Sequence, residues 1–325
     1  MSDHRGTFEH ARFDQPRPEH GFCTDDMARV LVVVTREPGQ DGALDDLARL
    51  SLGFLTAAQG AAGGCRNRMN RHGAWEDLPA LDDAWGRTLW GLGTAAAHSE
   101  NESIRREASA LFGRAVGTRS VWPRAMAFAA LGAAELLAVQ PDHAPARALL
   151  TDAGDALLEP GGDDEWPWPE ERLTYANAVL PEAMIAAGFA LDRAPLLRHG
   201  LDLLSWLLGH ETLDGHLSVT PVGGAGRDDR SPAFDQQPIE VAALADACAR
   251  AAAVDGRAEW SHGVDAAVAW FLGDNDTGAV MWDPRTGGGF DGLGPDGANF
   301  NQGTESTLAL LSTLQQARRP VPVRP

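Results

Sequence analysis

Apolar residues recur at helical spacing along the whole chain, whereas alternation with a period of two is scarce. Alanine- and leucine-rich stretches bounded by Asp, Asn, Gly and Pro predict helices over 25–36, 43–59, 82–98, 102–116, 122–139, 144–158, 175–191, 194–209, 237–254, 257–272 and 303–316. They are of two kinds. One kind is apolar on most faces, as in the run from Met126 to Ala134, and is expected to be buried on several sides. The other is amphipathic, as in 102–116 with Arg105, Arg106 and Glu107 on one face, and is expected to lie outside. Six inner helices begin near 25, 82, 122, 175, 237 and 303, and an outer helix follows each of the first five. A repeated inner–outer hairpin predicts an all-α fold, a closed toroid of helical hairpins whose inner-helix N-termini gather around one cavity.

Composition narrows the chemistry. The 325 residues are 44% hydrophobic and 22% charged, enough for a substantial core. All 27 basic residues are arginines, so no mechanism that needs a Schiff-base or phosphate-loop lysine applies. A formal charge of −19 repels a phosphate backbone or an anionic membrane, and nucleic-acid and membrane partners are not expected. Cys23, Cys65 and Cys248 are far apart and odd in number, unlike a secreted disulfide framework. The N-terminal segment carries no signal-peptide-like apolar stretch. A cytoplasmic protein is expected, as one domain over 1–317 with a flexible tail over 318–325.

Polar and aromatic motifs occupy the loops before the inner helices. They are Cys23-Thr24-Asp25-Asp26, Asp82-Asp83-Ala84-Trp85-Gly86-Arg87, Val121-Trp122-Pro123, the 165–171 segment with Trp166, Trp168 and Glu171, Tyr175-Ala176-Asn177, Asp235-Gln236-Gln237-Pro238 with Glu240, and Asn301-Gln302-Gly303-Thr304-Glu305. This arrangement resembles the six-hairpin glycosidase superfamily, which implies an (α/α)6 toroid shared with polysaccharide lyases and sugar 2-epimerases. The motifs around His20-Gly21-Phe22-Cys23, Phe234-Asp235-Gln236-Gln237-Pro238 and Gly289-Phe290-Asp291-Gly292 are similar to those of bacterial proteins found beside or fused to glycosyltransferases and glycan phosphorylases. Association with such an enzyme is what that second resemblance implies.

Each motif admits a structural reading and a chemical one. Asp25 with Asp26, and Asp82 with Asp83, either cap the helices they open or place one carboxylate in the cavity as an acid or base. Trp166 and Trp168 either plug the end of the toroid or stack against a sugar ring. Tyr175 and Asn177 are candidates for a sugar hydroxyl, and so are Gln236, Gln237, Glu240 and Gln302, because carboxamides donate and accept together as vicinal hydroxyls require. Glu305 either belongs to a capping box or reacts. The glycine-rich run 287–297 lacks the strand–helix context of a nucleotide loop, and contributes Asp291 as a candidate acid.

Two metal readings are weaker. The 274–278 run has its glycine one place too early for a calcium loop, and His20 with Cys23 has no partner motif for zinc. No metal or cofactor is expected. The preferred reading is an inverting glycoside hydrolase acting on an oligosaccharide, with its acid and base among Asp26, Asp83, Glu171, Asp291 and Glu305. Sugar binding falls to Asp25, Asp82, Trp166, Trp168, Tyr175, Asn177, Gln236, Gln237, Glu240 and Gln302. The alternatives are a non-catalytic glycan-binding partner and a sugar epimerase or isomerase. The epimerases of the resembled superfamily rely on paired histidines at inner helices, and here only the region of His20 carries one, which ranks epimerisation below hydrolysis.

Overall fold

A computed structural model describes residues 2–158, 162–163, 165–229 and 231–318. Among them lie eleven helices: α1 Thr24–Arg36, α2 Gly42–Ala58, α3 Asp83–His98, α4 Glu102–Ala115, α5 Pro123–Val139, α6 Ala144–Leu157, α7 Val179–Ala190, α8 Ala194–His210, α9 Pro238–Val254, α10 Ala258–Phe271 and α11 Thr304–Arg318. The protein is all-α. Its strands are two or three residues long and serve only to tie loops together. The expected tail over 318–325 lies outside the described residues apart from Arg318, which closes α11.

The two kinds of helix are visible in their burial. Every residue of α3 from Ala84 to Ala96 is buried, and so is every residue of α5 from Arg124 to Ala134. In α4 only Ile104, Ala108, Leu111, Phe112 and Ala115 are buried, a single stripe at helical spacing. Caps set several starts: Asp41 accepts from the N–H groups of Ala43 and Leu44 ahead of α2, Asn101 from Ser103 ahead of α4, and prolines open α5 and α9 where a missing N–H costs nothing.

The chain groups into two compact units. The first comprises Met1–Ala11, Gln15–Leu157 and Ala186–Arg193, and the second Arg12–Asp14, Leu158–Ile185 and Ala194–Pro325. In the first, α3 is the central element, packed between α1 and α5 and backed by α4. Its approach to α5 is backbone on backbone. A Cβ on Gly93 would lie 2.0 Å from the carbonyl oxygen of Gly132, and one on Gly132 would lie 2.1 Å from that of Leu89. In the second unit α9 packs against α10 and α11, with α8 alongside.

One helix departs from the sequence expectation by four residues. The start expected at 175 falls at Val179, because the intervening backbone is held in a turn. Ala176 adopts a φ of +45°, the N–H of Thr174 donates to Asn177 Oδ1 at 2.9 Å, and the N–H groups of Ala176 and Asn177 both donate to the Glu240 carboxylate. These donors are committed to side chains rather than to a first helical turn.

Candidate functional site

In the first unit the loops preceding α1 and α3 meet. Phe22–Cys23 pairs antiparallel with Arg68–Met69, which brings Asn67 against the first turn of α1. Asn67 Oδ1 accepts from the N–H of Thr24 at 3.1 Å, and its Nδ2 donates to Asp25 at 3.2 Å. Asp26 is 1% exposed and receives Arg29 Nη1 at 2.7 Å, so its charge is matched within the helix that carries it. The N-cap of α1 is Cys23, which makes no side-chain cap bond. At α3 the two divide the work: Asp82 caps through the N–H of Ala84 at 3.1 Å, while Asp83 lies 3.9 Å from Arg87 Nη2. Burial, joined by the charges of Asp25 and Asp83, holds the Asp82 carboxyl above the usual carboxylate range. Arg87 is 3% exposed, with its Nε 3.8 Å from Asp25 and its guanidinium 4.0 Å over the Phe128 ring.

Two histidines border this cluster. The rings of His10 and His20 meet edge to face with centroids 4.9 Å apart. His10 Nε2 is 3.7 Å from Glu9, and the same Glu9 is paired with Arg68. Sequence reading singled out His20 and passed over His10. Ten residues separate them, and the bonds from the N–H of Arg17 to the carbonyl of His10 and from the N–H of Glu9 to the carbonyl of Gly21 make them neighbours.

The second unit gathers the other candidates. Glu240 is 4% exposed and holds both Ala176 and Asn177, so it fixes the loop that carries Tyr175, itself 43% exposed. Asn177 is fully buried in that clamp. Gln236 is fully buried as well; its Nε2 donates to Asp276 at 2.6 Å, and His216 Nε2 lies 3.0 Å from the other oxygen of that aspartate. The His216–Asp276–Gln236 chain joins residues far apart in sequence. Gln237 is the N-cap of α9 and makes no side-chain cap bond.

Asp291 Oδ1 accepts from the N–H of Gly303 at 2.7 Å, capping the approach to α11 from outside the helix, and Glu305 lies in that helix's first turn. Asp235 packs on the backbone of Gly292, where a Cβ would come within 2.4 Å of Asp235 Oδ1. Burial first, and the neighbouring charge of Asp291 second, push the Asp235 carboxyl up. Gln302, 7% exposed, accepts from the Thr286 hydroxyl at 2.6 Å.

Trp166 and Trp168 are 5% and 0% exposed. Trp166 meets Trp206 and His210 edge on, Trp168 stacks on Trp206, and Trp166 Nε1 donates to the carbonyl of Glu170 at 2.9 Å. Their ring faces are packed against protein. Glu171 is exposed beside the pair formed by Arg172–Leu173 and Ala225–Gly226.

Among the described residues no group of three or more His, Cys, Asp or Glu side chains is arranged to hold a metal ion. All three cysteines are buried, and burial pushes the Cys65 and Cys248 thiols up to about 12. No helix among the described residues is long and apolar enough to cross a membrane.

This arrangement of helices has known counterparts. The chain has an (α/α)6 toroid fold. It is similar over 97% of its length, and 93% of the other chain's, to cellobiose 2-epimerase from Bacillus thermoamylovorans, with a TM-score of 0.68 at 12% identity. A D-mannose isomerase matches over 97% of this chain and 93% of its own, with a TM-score of 0.65 at 11% identity. The GH76 α-mannanase of Bacteroides thetaiotaomicron matches over 91% and 86%, with a TM-score of 0.62 at 12% identity. No family model matches the sequence, and neither does any curated protein.

Proposed function

We propose that the protein is a carbohydrate-active enzyme that moves a proton at the carbon beside the carbonyl of an open-chain sugar, as a 2-epimerase or an aldose–ketose isomerase does. The observation that carries this reading is the contact between His10 and His20, with Glu9 beside His10 and Arg68 paired to that same Glu9. Histidine is the side chain whose charge ordinarily changes near neutral pH, which suits a base that must take a proton and return it. Arginine is the natural partner for the negative charge that develops on the enediolate oxygen. The reading also agrees with the coverage of the epimerase and isomerase folds, and it reverses the order in which the sequence ranked the two chemistries. We place the reaction in the cytoplasm and treat 1–317 as one functional domain.

A second reading, an inverting hydrolase, is favoured by one feature of the second unit. Asp235 and Asp291 are neighbouring carboxyls, and burial first and the charge of Asp291 second push the Asp235 carboxyl up, the direction a general acid needs. Association with a glycosyltransferase or a glycan phosphorylase rests on sequence resemblance alone, and copurification with such an enzyme tests it.

Incubation with aldoses and β-linked disaccharides in heavy water decides between the two chemistries. Epimerisation or isomerisation yields a product of unchanged mass class that carries solvent deuterium beside the carbonyl. His10→Ala and His20→Ala should lose at least about a hundredfold in turnover, the ordinary worth of a general acid–base group. Release of a shorter sugar, lost in Asp235→Asn and retained in both histidine variants, overturns the epimerase reading in favour of hydrolysis.

A further inference from the structure

The second unit contains a cavity of about 370 Å³ with four aromatic side chains in its walls, within the roughly 300–1,000 Å³ range of small-molecule sites. Phe13, Trp282, Phe290 and Phe300 line it, together with the polar side chains of Asp283 and Gln302. Phe13 and Phe300 are 57% and 56% exposed, a cost that a folded protein ordinarily avoids for rings of this size. Phe290 is buried and meets Phe300 edge to face at 5.1 Å, which holds the exposed ring in place.

The backbone at this cavity is built with care. Phe13 adopts a φ of +53°, a region that a bulky residue rarely occupies. It is held there from both sides: its N–H donates to Asn301 Oδ1 at 3.0 Å, and its carbonyl accepts from the N–H of Gln302 at 2.9 Å. Backbone strain of this kind persists where the surrounding structure over-determines it, and it concentrates at ligand clamps.

The polar groups are equally fixed. Asp283 and Gln302 are 9% and 7% exposed. Asp283 accepts from the backbone N–H of Arg285 at 2.9 Å and from its Nη2 at 3.1 Å, and it lies 3.5 Å from Gln302 Nε2. Two aspartates, Asp14 and Asp283, stand against the single Arg285, so the lining is formally −1 and does not suit a phosphate or a uronate.

We infer that this cavity is a binding site for a neutral pyranose ring, with the Phe13 and Phe300 rings taking its C–H face and Gln302 and Asp283 taking its hydroxyls. Apolar faces with a few fixed donors and acceptors match a sugar ring, which is apolar across its face and polar around its edge. The choice of a sugar rests on the carbohydrate reading proposed above; the placement of the site does not.

The test is a titration of the full chain with methyl glycosides of glucose, mannose and galactose, which have no free carbonyl to convert. It is followed through the ring signals of carbon-13-labelled phenylalanine, with Phe13 and Phe300 assigned from Phe13→Leu and Phe300→Leu. At least one glycoside should shift both signals saturably. Phe300→Ala should weaken that binding about tenfold, and Phe300→Trp should restore it. An exposed ring is removed, so both variants should melt as the unaltered protein does. If no glycoside moves either signal, or if Phe300→Ala binds as well as the unaltered chain, the assignment is wrong, even for a protein that converts sugars. If the signals shift in a protein that converts no sugar, the site stands and the proposed reaction falls.

Discussion

Glu211 carries a strongly displaced carboxyl in the second unit. It is 2% exposed, accepts from the N–H and the hydroxyl of Thr220, and is pushed up to about 8, by burial first and by the charge of Glu240 second. A carboxyl that stays protonated when folded but ionises near 4.5 when unfolded favours unfolding as pH rises. Between those two values the folded state binds the extra proton, so stability falls with increasing pH across about 4.5 to 8 and is flat in this contribution above it. Glu211→Gln keeps the acceptor and removes the ionisation. It should therefore be more stable than the unaltered chain at pH 8 by a few kcal/mol while differing little at pH 5, in denaturant titrations run at both. Parallel stability curves for the two chains would show that this carboxyl does not titrate as described. Single residues of this kind were poorly legible in the sequence. Asp82 and Asp83 were recognisable as a pair at a helix start, yet which of them caps depended on the direction of Arg87. Glu240 stood among the sugar-binding candidates, and its carboxylate is occupied by the 176–177 backbone.

Elements were far more legible than side chains. Periodic apolar spacing located the eleven helices of the described residues and separated α3 and α5, buried on every face through their middles, from the one-sided α4, because burial on several faces and burial on one stripe leave different patterns. The start of α7 falls four residues later than its expected position because it depends on Glu240, which is distant in sequence. The glycines of α3 and α5 carried no signal at all, since glycine in an apolar run reads only as a poor helix former. Their reason is contact: the carbonyl of Leu89 lies where the Cβ of an alanine at position 132 would be. Gly132→Ala should force the two helices apart and cost about 1–3 kcal/mol or more, seen as a drop of several degrees in melting midpoint. Gly113→Ala in α4, where nothing lies within 4 Å of the added carbon, should stabilise or leave the protein unchanged.

At the scale of the whole molecule the charge of −19 is the dominant physical property. Unpaired acidic charge repels itself across a compact body, and salt screens that repulsion over a Debye length of about 8–10 Å. Added sodium chloride should therefore raise the melting midpoint by a few degrees, most of it below physiological ionic strength, and a midpoint indifferent to salt would mean that local ion pairs such as Arg29–Asp26 already balance the charge. The sequence by itself determined the class of fold, the order of inner and outer helices and the acidic character, because each is written in local periodicity and composition. Only the tertiary structure decided that Trp166 and Trp168 are packed against Trp206, that His10 meets His20, that His216 reaches Asp276, and that Phe13 and Phe300 share a cavity. Those contacts join positions separated by ten to nearly three hundred residues, and no local pattern of hydrophobic and polar positions records which distant loop will close on which.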